Sequence, residues 1–187
     1  MHINPYGQDP VGLAVDLVNR PPHDAADLAR RCAAVGFVLD REVGDDDLAR
    51  VRSFLERWTG VVDAADPPAR AALLNPLLTE SASAPRLTDH TGDGWHLHYR
   101  PDGLPAHRQI AVLVAVGTAL HLTGRGMDRL GRCAARDCAR VYADFSRNGR
   151  QRYCSPPCGN RDAVRRHRAR VKGSGAPPGR TARSSAG

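Results

Sequence analysis

Four of the chain's five cysteines crowd into 26 residues: Cys133-AARD-Cys138, fifteen residues, then Cys154-SPP-Cys158. Two close pairs across a spacer is the layout of a structural zinc site, because each tight loop aims two thiolates at one point. Four thiolates close a tetrahedral shell and leave no position for a substrate water. The expected cofactor is therefore one structural Zn2+ on Cys133, Cys138, Cys154 and Cys158. The fifth, Cys32, stands alone in an apolar helical stretch and reads as a small buried hydrophobe rather than a redox group.

The elements around the pairs must bring them together. Residues 141–145 read as a strand, Asn148-Gly149 as a type I′ turn, and residues 150–153 as the returning strand. Pro156-Pro157 suits the first turn of a helix, which puts Cys158 at a helix start, where the dipole favours its thiolate. The arrangement is treble-clef-like. Such a module, about 40 residues long, has too small a core to fold unaided, so the metal supplies much of its folding energy.

Beyond Cys158 the predicted helix runs to Lys172. Arg161, Arg165, Arg168 and Lys172 recur at steps of 4, 3 and 4 and share a face; Arg166, His167 and Arg170 widen it. Val164 and Val171 mark a narrow apolar stripe expected to dock on the module or the body. Arg147, Arg150 and Arg152 add charge from the hairpin. Such a surface neutralises phosphates and releases counterions. The net charge of +7 hides a split: residues 1–128 hold 12 basic and 17 acidic residues, net −5, and residues 129–187 hold 15 and 3, net +12. A uniformly basic protein is excluded; an acidic body carries a basic C-terminal third.

Cys154-SPP-Cys158-Gly159-Asn160-Arg161 ends in the tetrapeptide for which the CGNR zinc-finger family is named. With Cys133-x4-Cys138 and Phe145-Ser146-Arg147-Asn148, the segment resembles that family. Upstream, Val15-Asp16-Leu17-Val18-Asn19 and Leu73-Leu74-Asn75 resemble the ABATE domain that usually precedes this finger. Arg20 stands where the family commonly has Thr, and Tyr153 with the proline pair replaces its usual wording before the last cysteine. The resemblance covers roughly residues 8–172 and implies a stress-induced transcription regulator.

The body reads as helical. Residues 10–19 form a short helix ending near Pro21-Pro22; Asp24 caps a second, closed by Gly36. Asp45-Asp46-Asp47 opens a third, with Leu48, Val51, Leu55, Trp58 and Val62 on one face. Pro67-Pro68 starts a fourth, burying Leu73, Leu74, Leu77 and Leu78, with Pro76 interrupting it or tightening its end. Residues 85–90 and 94–100 read as a β-hairpin, Trp95, Leu97 and Tyr99 facing in and His96, His98 and Arg100 facing out. Residues 104–122 form the most apolar helix, and residues 173–187 a disordered tail. The fold class is α+β: a mostly helical body with a small hairpin (1–128), then the zinc module and basic helix (129–172).

No apolar run approaches the roughly 20 residues of a membrane span, and no signal peptide is visible, so the chain reads as cytoplasmic. The body carries no nucleotide loop, G-x-S-x-G or H-E-x-x-H motif. Asp16, Asn19 and Arg20 are candidates to line a pocket for a small-molecule or protein effector, and His90, His96 and His98 lie close enough for a second metal site, although a polar outer face is the plainer reading. The sequence favours a zinc-dependent regulator whose finger and basic helix contact DNA. A protein-interaction module with a structural zinc is the alternative; an enzyme built around Asp16, His96 or His98 ranks last.

Overall fold

The computed structural model describes residues 8–89 and 95–174; His90 and most of the expected tail lie outside them. In chain order the elements are α1 (Gln8–Asn19), α2 (Ala25–Ala34), α3 (Asp45–Asp63), α4 (Pro67–Ser81), β1 (Arg86–Thr88), β2 (His96–His98), α5 (Ala106–Arg125), β3 (Leu130–Arg132), β4 (Val141–Ala143) and α6 (Pro156–Ser174). The class is α+β with a mostly helical body, as expected.

Local chemistry sets the helix starts. The Asp24 carboxylate accepts from the Asp27 N–H at 2.7 Å, and the Asp66 carboxylate from the Ala69 N–H at 2.8 Å. Asp47 reaches back to the Gly44 N–H at 3.1 Å. The predicted face of α3 is the buried one, and Trp58, fully buried, donates its indole N–H to Thr118 Oγ at 2.9 Å. Apolar α5 runs through the middle of the body and packs against α1, α3 and α4.

Two expectations about α4 are corrected. Pro76 does not interrupt it: the helix continues to Ser81. Pro76 removes the hydrogen bond that the Ala72 carbonyl would accept, but both residues are exposed, so water can take that carbonyl. Leu73 is 46% exposed, whereas Leu74 and Leu77 are buried.

β1 and β2 pair antiparallel, with Arg86 opposite His98 and Thr88 opposite His96. The hairpin forms as predicted, but its faces are exchanged. His96 and His98 are buried, while Trp95 is 73% exposed and Leu97 faces out beside exposed Leu87. The period decides which side chains share a face; tertiary packing decides which face is covered.

The second hairpin also differs. β4 pairs with the preceding β3, not with residues 150–153. Asn148 lacks the positive φ a type I′ turn demands; only Gly149, at φ +68°, has it. A Cβ at Gly149 would lie 2.7 Å from the Arg129 guanidinium carbon. Arg129 packs there, donating to the carbonyls of Ser146 and Arg125 at 2.9 Å each. Leu130, Val141 and Ala143 belong to the same buried cluster as the helices, so this hairpin is rooted in the body's core.

Candidate metal centre and basic helix

β3 and β4 present the first cysteine pair on the loop between them. The loop is pinned by Cys133 N–H to the Arg140 carbonyl at 2.9 Å and Cys138 N–H to the Ala135 carbonyl at 3.0 Å. The second pair sits at the start of α6, where Cys158 N–H meets the Ser155 carbonyl at 3.1 Å. The Ala134 N–H to Arg152 carbonyl bond, 2.8 Å, ties the two segments together.

The four Sγ atoms lie within 4.8 Å of one another. Cys154 Sγ is 3.7 Å from both Cys138 Sγ and Cys158 Sγ. Zn–S bonds of about 2.3 Å in a tetrahedron put sulfurs about 3.8 Å apart, so these edges match a ZnS4 centre and are far too long for a disulfide. The four cysteines are able to hold one zinc ion. Without metal their thiols are not equivalent. A hydrogen bond from Ser155, with help from neighbouring thiols, pulls Cys158 down to about 7; burial and its thiol neighbours push Cys154 up to about 12. Cys158 thus ionises before Cys154, in keeping with its place at a helix N-terminus.

The signature residues after Cys158 serve this centre. A Cβ on Gly159 would approach the Tyr153 ring to 3.3 Å, so the glycine lets that ring lie against α6. Tyr153 in turn donates its hydroxyl to Asp162 at 2.8 Å. Arg161 donates to Cys158 Sγ at 3.3 Å and pairs with Asp137 on the first cysteine loop at 3.5 Å. Arg161 therefore bridges both halves of the centre and supports the thiolate. Asn160 lines a shallow cleft with Arg150, Arg152 and Tyr153.

The remaining sequence-predicted cations are exposed: Arg147, Arg150 and Arg152 around the module, and Arg165, Arg166, Arg168 and Arg170 along α6; Lys172 falls near the helix end. Arg165 and Arg166 ion-pair with Asp162. Val164 and Val171 are 50% and 58% exposed, so the expected apolar stripe is not docked. The reason is geometric: α6 is anchored at Cys158 and Asp162, and from residue 163 to 171 every side chain faces solvent. The module's aromatics are half-buried and have structural partners, Phe145 lying edge-on to His121 and Tyr142 over Gly131. Arg136 and Arg140, beside the first cysteine pair, are exposed cations as well. Sequence reasoning passed them over because they lie outside the helical repeat.

The candidates on α1 join the body to the module. The Asn19 amide donates to the Val141 carbonyl and accepts from the Val141 N–H, both at 2.9 Å, so it extends β4 as a strand would. Asp16 accepts from Arg31 Nε at 2.8 Å and Nη2 at 2.5 Å, and from Arg20. Burial raises the Asp16 carboxyl, but the hydrogen bonds from Arg20 and Arg31 outweigh it and hold the group below the ordinary carboxylate value. A folded-state value below the unfolded one means this stabilisation is present above about pH 4 and is lost as pH falls through the lowered value. Asp16→Asn should cost roughly 1 kcal/mol at pH 7, and the gap to wild type in urea melts should shrink at pH 3. Equal gaps at both pH values would refute the ion-pair account.

No helix among the described residues is long and apolar enough to cross a membrane. A comparison with curated proteins finds no match. Comparison with protein families finds two matches. Residues 129–171 match the CGNR zinc finger, a range that contains the four cysteines and most of α6. Residues 12–145, well over half the chain and overlapping the finger across β3 and β4, match ABATE, described as "Putative stress-induced transcription regulator". The chain thus belongs to the ABATE family of regulators and carries a zinc-binding CGNR finger.

Proposed function

We propose that this protein is a transcription regulator whose zinc module and α6 bind DNA, with the body responding to a small-molecule or protein effector. The observation carrying the reading is the projecting stretch of α6. Residues 163–171 hold four exposed arginines and His167 with no acidic residue. A helix that only balanced an acidic body would lie on it and pair with its carboxylates. Instead, Arg161 pairs with Asp137, and Arg165 and Arg166 with Asp162, inside the module. A helix about 10–12 Å across fits a major groove about 12 Å wide, where Arg168 and Arg170 would meet phosphates or guanine edges. Arg147, Arg150, Arg152, Arg165, Arg166 and Lys172 complete the basic surface. Arg161 is better assigned to the metal centre.

A second reading, docking of a protein partner, is favoured by the exposed Val164 and Val171 on the same helix. Selection from a random DNA pool with zinc-loaded full-length protein separates the two. Enrichment of a common sequence supports DNA recognition. No enrichment, together with a pulled-down protein that survives nuclease, supports the second reading.

A further inference from the structure

We infer that His96 and His98 form a second site for a divalent transition-metal ion of the zinc or nickel class. The two side chains leave β2 on the same face and are both buried. Their Nε2 atoms are 3.2 Å apart, with ring centroids 5.0 Å apart and planes inclined at 58°. Two imidazole nitrogens bound to one tetrahedral ion at about 2.0–2.1 Å are separated by about 3.3 Å, so the pair is already at chelating distance. Pairing of Thr88 with His96 and Arg86 with His98 holds both backbones.

The other side of His98 is also suited to the role. Its Nδ1 lies 3.9 Å from Asp102 Oδ1, and Arg86 holds that carboxylate oxygen at 2.7 Å. A metal-ligating histidine commonly directs its second ring nitrogen towards a carboxylate; at 3.9 Å this one is beyond direct hydrogen-bond reach, and a bridging water would complete the contact. Without metal, one Nε2–H points at the other Nε2. Binding requires that ring to change tautomer, its proton moving through solvent from Nε2 to its own Nδ1, so both rings stay neutral and both Nε2 lone pairs face the ion. With two imidazoles as its ligands among the described residues, this site is weaker than the four-thiolate centre and fills after it. Imidazole donors favour nickel, copper and zinc over magnesium or calcium. This inference does not depend on the DNA-binding reading.

The test uses the full chain with its thiolate centre already loaded. Zinc is titrated into this one-zinc protein by calorimetry, and the imidazole nitrogens are followed by NMR. The expected result is a second equivalent whose binding shifts the Nε2 resonances of both His96 and His98. His96→Gln and His98→Gln should each lose the second equivalent and keep the first, which also reports that the variants are folded. Absence of a second equivalent in the wild type, or binding that leaves both Nε2 resonances unmoved, would overturn the proposal.

Discussion

Cys158→Ala should abolish stoichiometric zinc binding and release α6, while the helical body stays folded. Structural zinc contributes about 10–16 kcal/mol of apparent binding free energy in isolated finger peptides, so losing one of four thiolates removes the main support of whatever the metal alone orders. That region is bounded. β3 and β4 are rooted in the body's core through Leu130, Val141 and Ala143, and Asn19 holds Val141 at both backbone groups. Gln151 N–H is still held by buried Asp144 at 3.1 Å, but the first cysteine loop and residues 152–171 place no side chain in that core; their buried cluster consists of Cys133, Ala135 and Cys158 with Cys138, Tyr153 and Cys154 packed against it. Hydrogen exchange should therefore lose protection over 133–139 and 152–171 and keep it in α3 and α5. Chelation of the wild-type protein should give the same pattern. Cys32→Ala is the control, since Cys32 is fully buried in α2 with its thiol pushed up to about 12 by burial. It should retain one zinc. Unchanged zinc content in Cys158→Ala, or unfolding that spreads through the body, would contradict this picture.

Arg70→Met should destabilise the body by on the order of 3 kcal/mol whether or not zinc is present. Arg70 is buried on the first turns of α4. Its guanidinium donates to the carbonyls of Val61 at 3.0 Å, Val62 at 3.1 Å and Ala64 at 3.4 Å, and to that of Met127. It therefore caps the negative end of α3 and binds it to the turn before β3. Two effects compete. Burial disfavours the charge and lowers its pKa, so a neutral side chain removes that cost. Yet methionine leaves the carbonyls without donors, and an unmet buried acceptor costs about 1–3 kcal/mol. With several acceptors orphaned, the second effect wins. Replacing a buried ion pair with apolar residues is sometimes neutral because both partners go; here one side remains. Urea melts would read the loss as a lower midpoint, and a change under about 0.5 kcal/mol, the range of ordinary surface substitutions, would refute it.

Legibility in the sequence followed the range of the interaction. Helices were readable because their signals are local: Asp24 and Asp66 bond three residues ahead, and the α3 face repeats every three or four. The metal ligands were readable because thiolate spacing is a chemical requirement. β1, β2 and β4 were readable as strands, but β3 and its pairing with β4 were not, since a pattern that short cannot name its partner. Asn148-Gly149 suggested a downstream return, but Arg129 packs on Gly149 and β4 is taken by β3. Arg70 gave no signal because its partners are backbone carbonyls, which every residue has. Asn19 resembled a pocket residue for a similar reason: its partner lies 122 residues away.

The central claim is that zinc holds a basic helix in place to bind DNA. The most direct test is the salt dependence of DNA affinity for zinc-loaded protein, compared with Arg168→Ala/Arg170→Ala. Each neutralised phosphate contributes a slope of about −0.9 in a plot of log affinity against log salt. Wild type should give a slope of about −4 or steeper, the double variant should lose roughly 2 of that slope, and chelation should remove the binding. DNA binding whose slope is the same in wild type and the double variant, or that persists unchanged after zinc is withdrawn, would contradict the account.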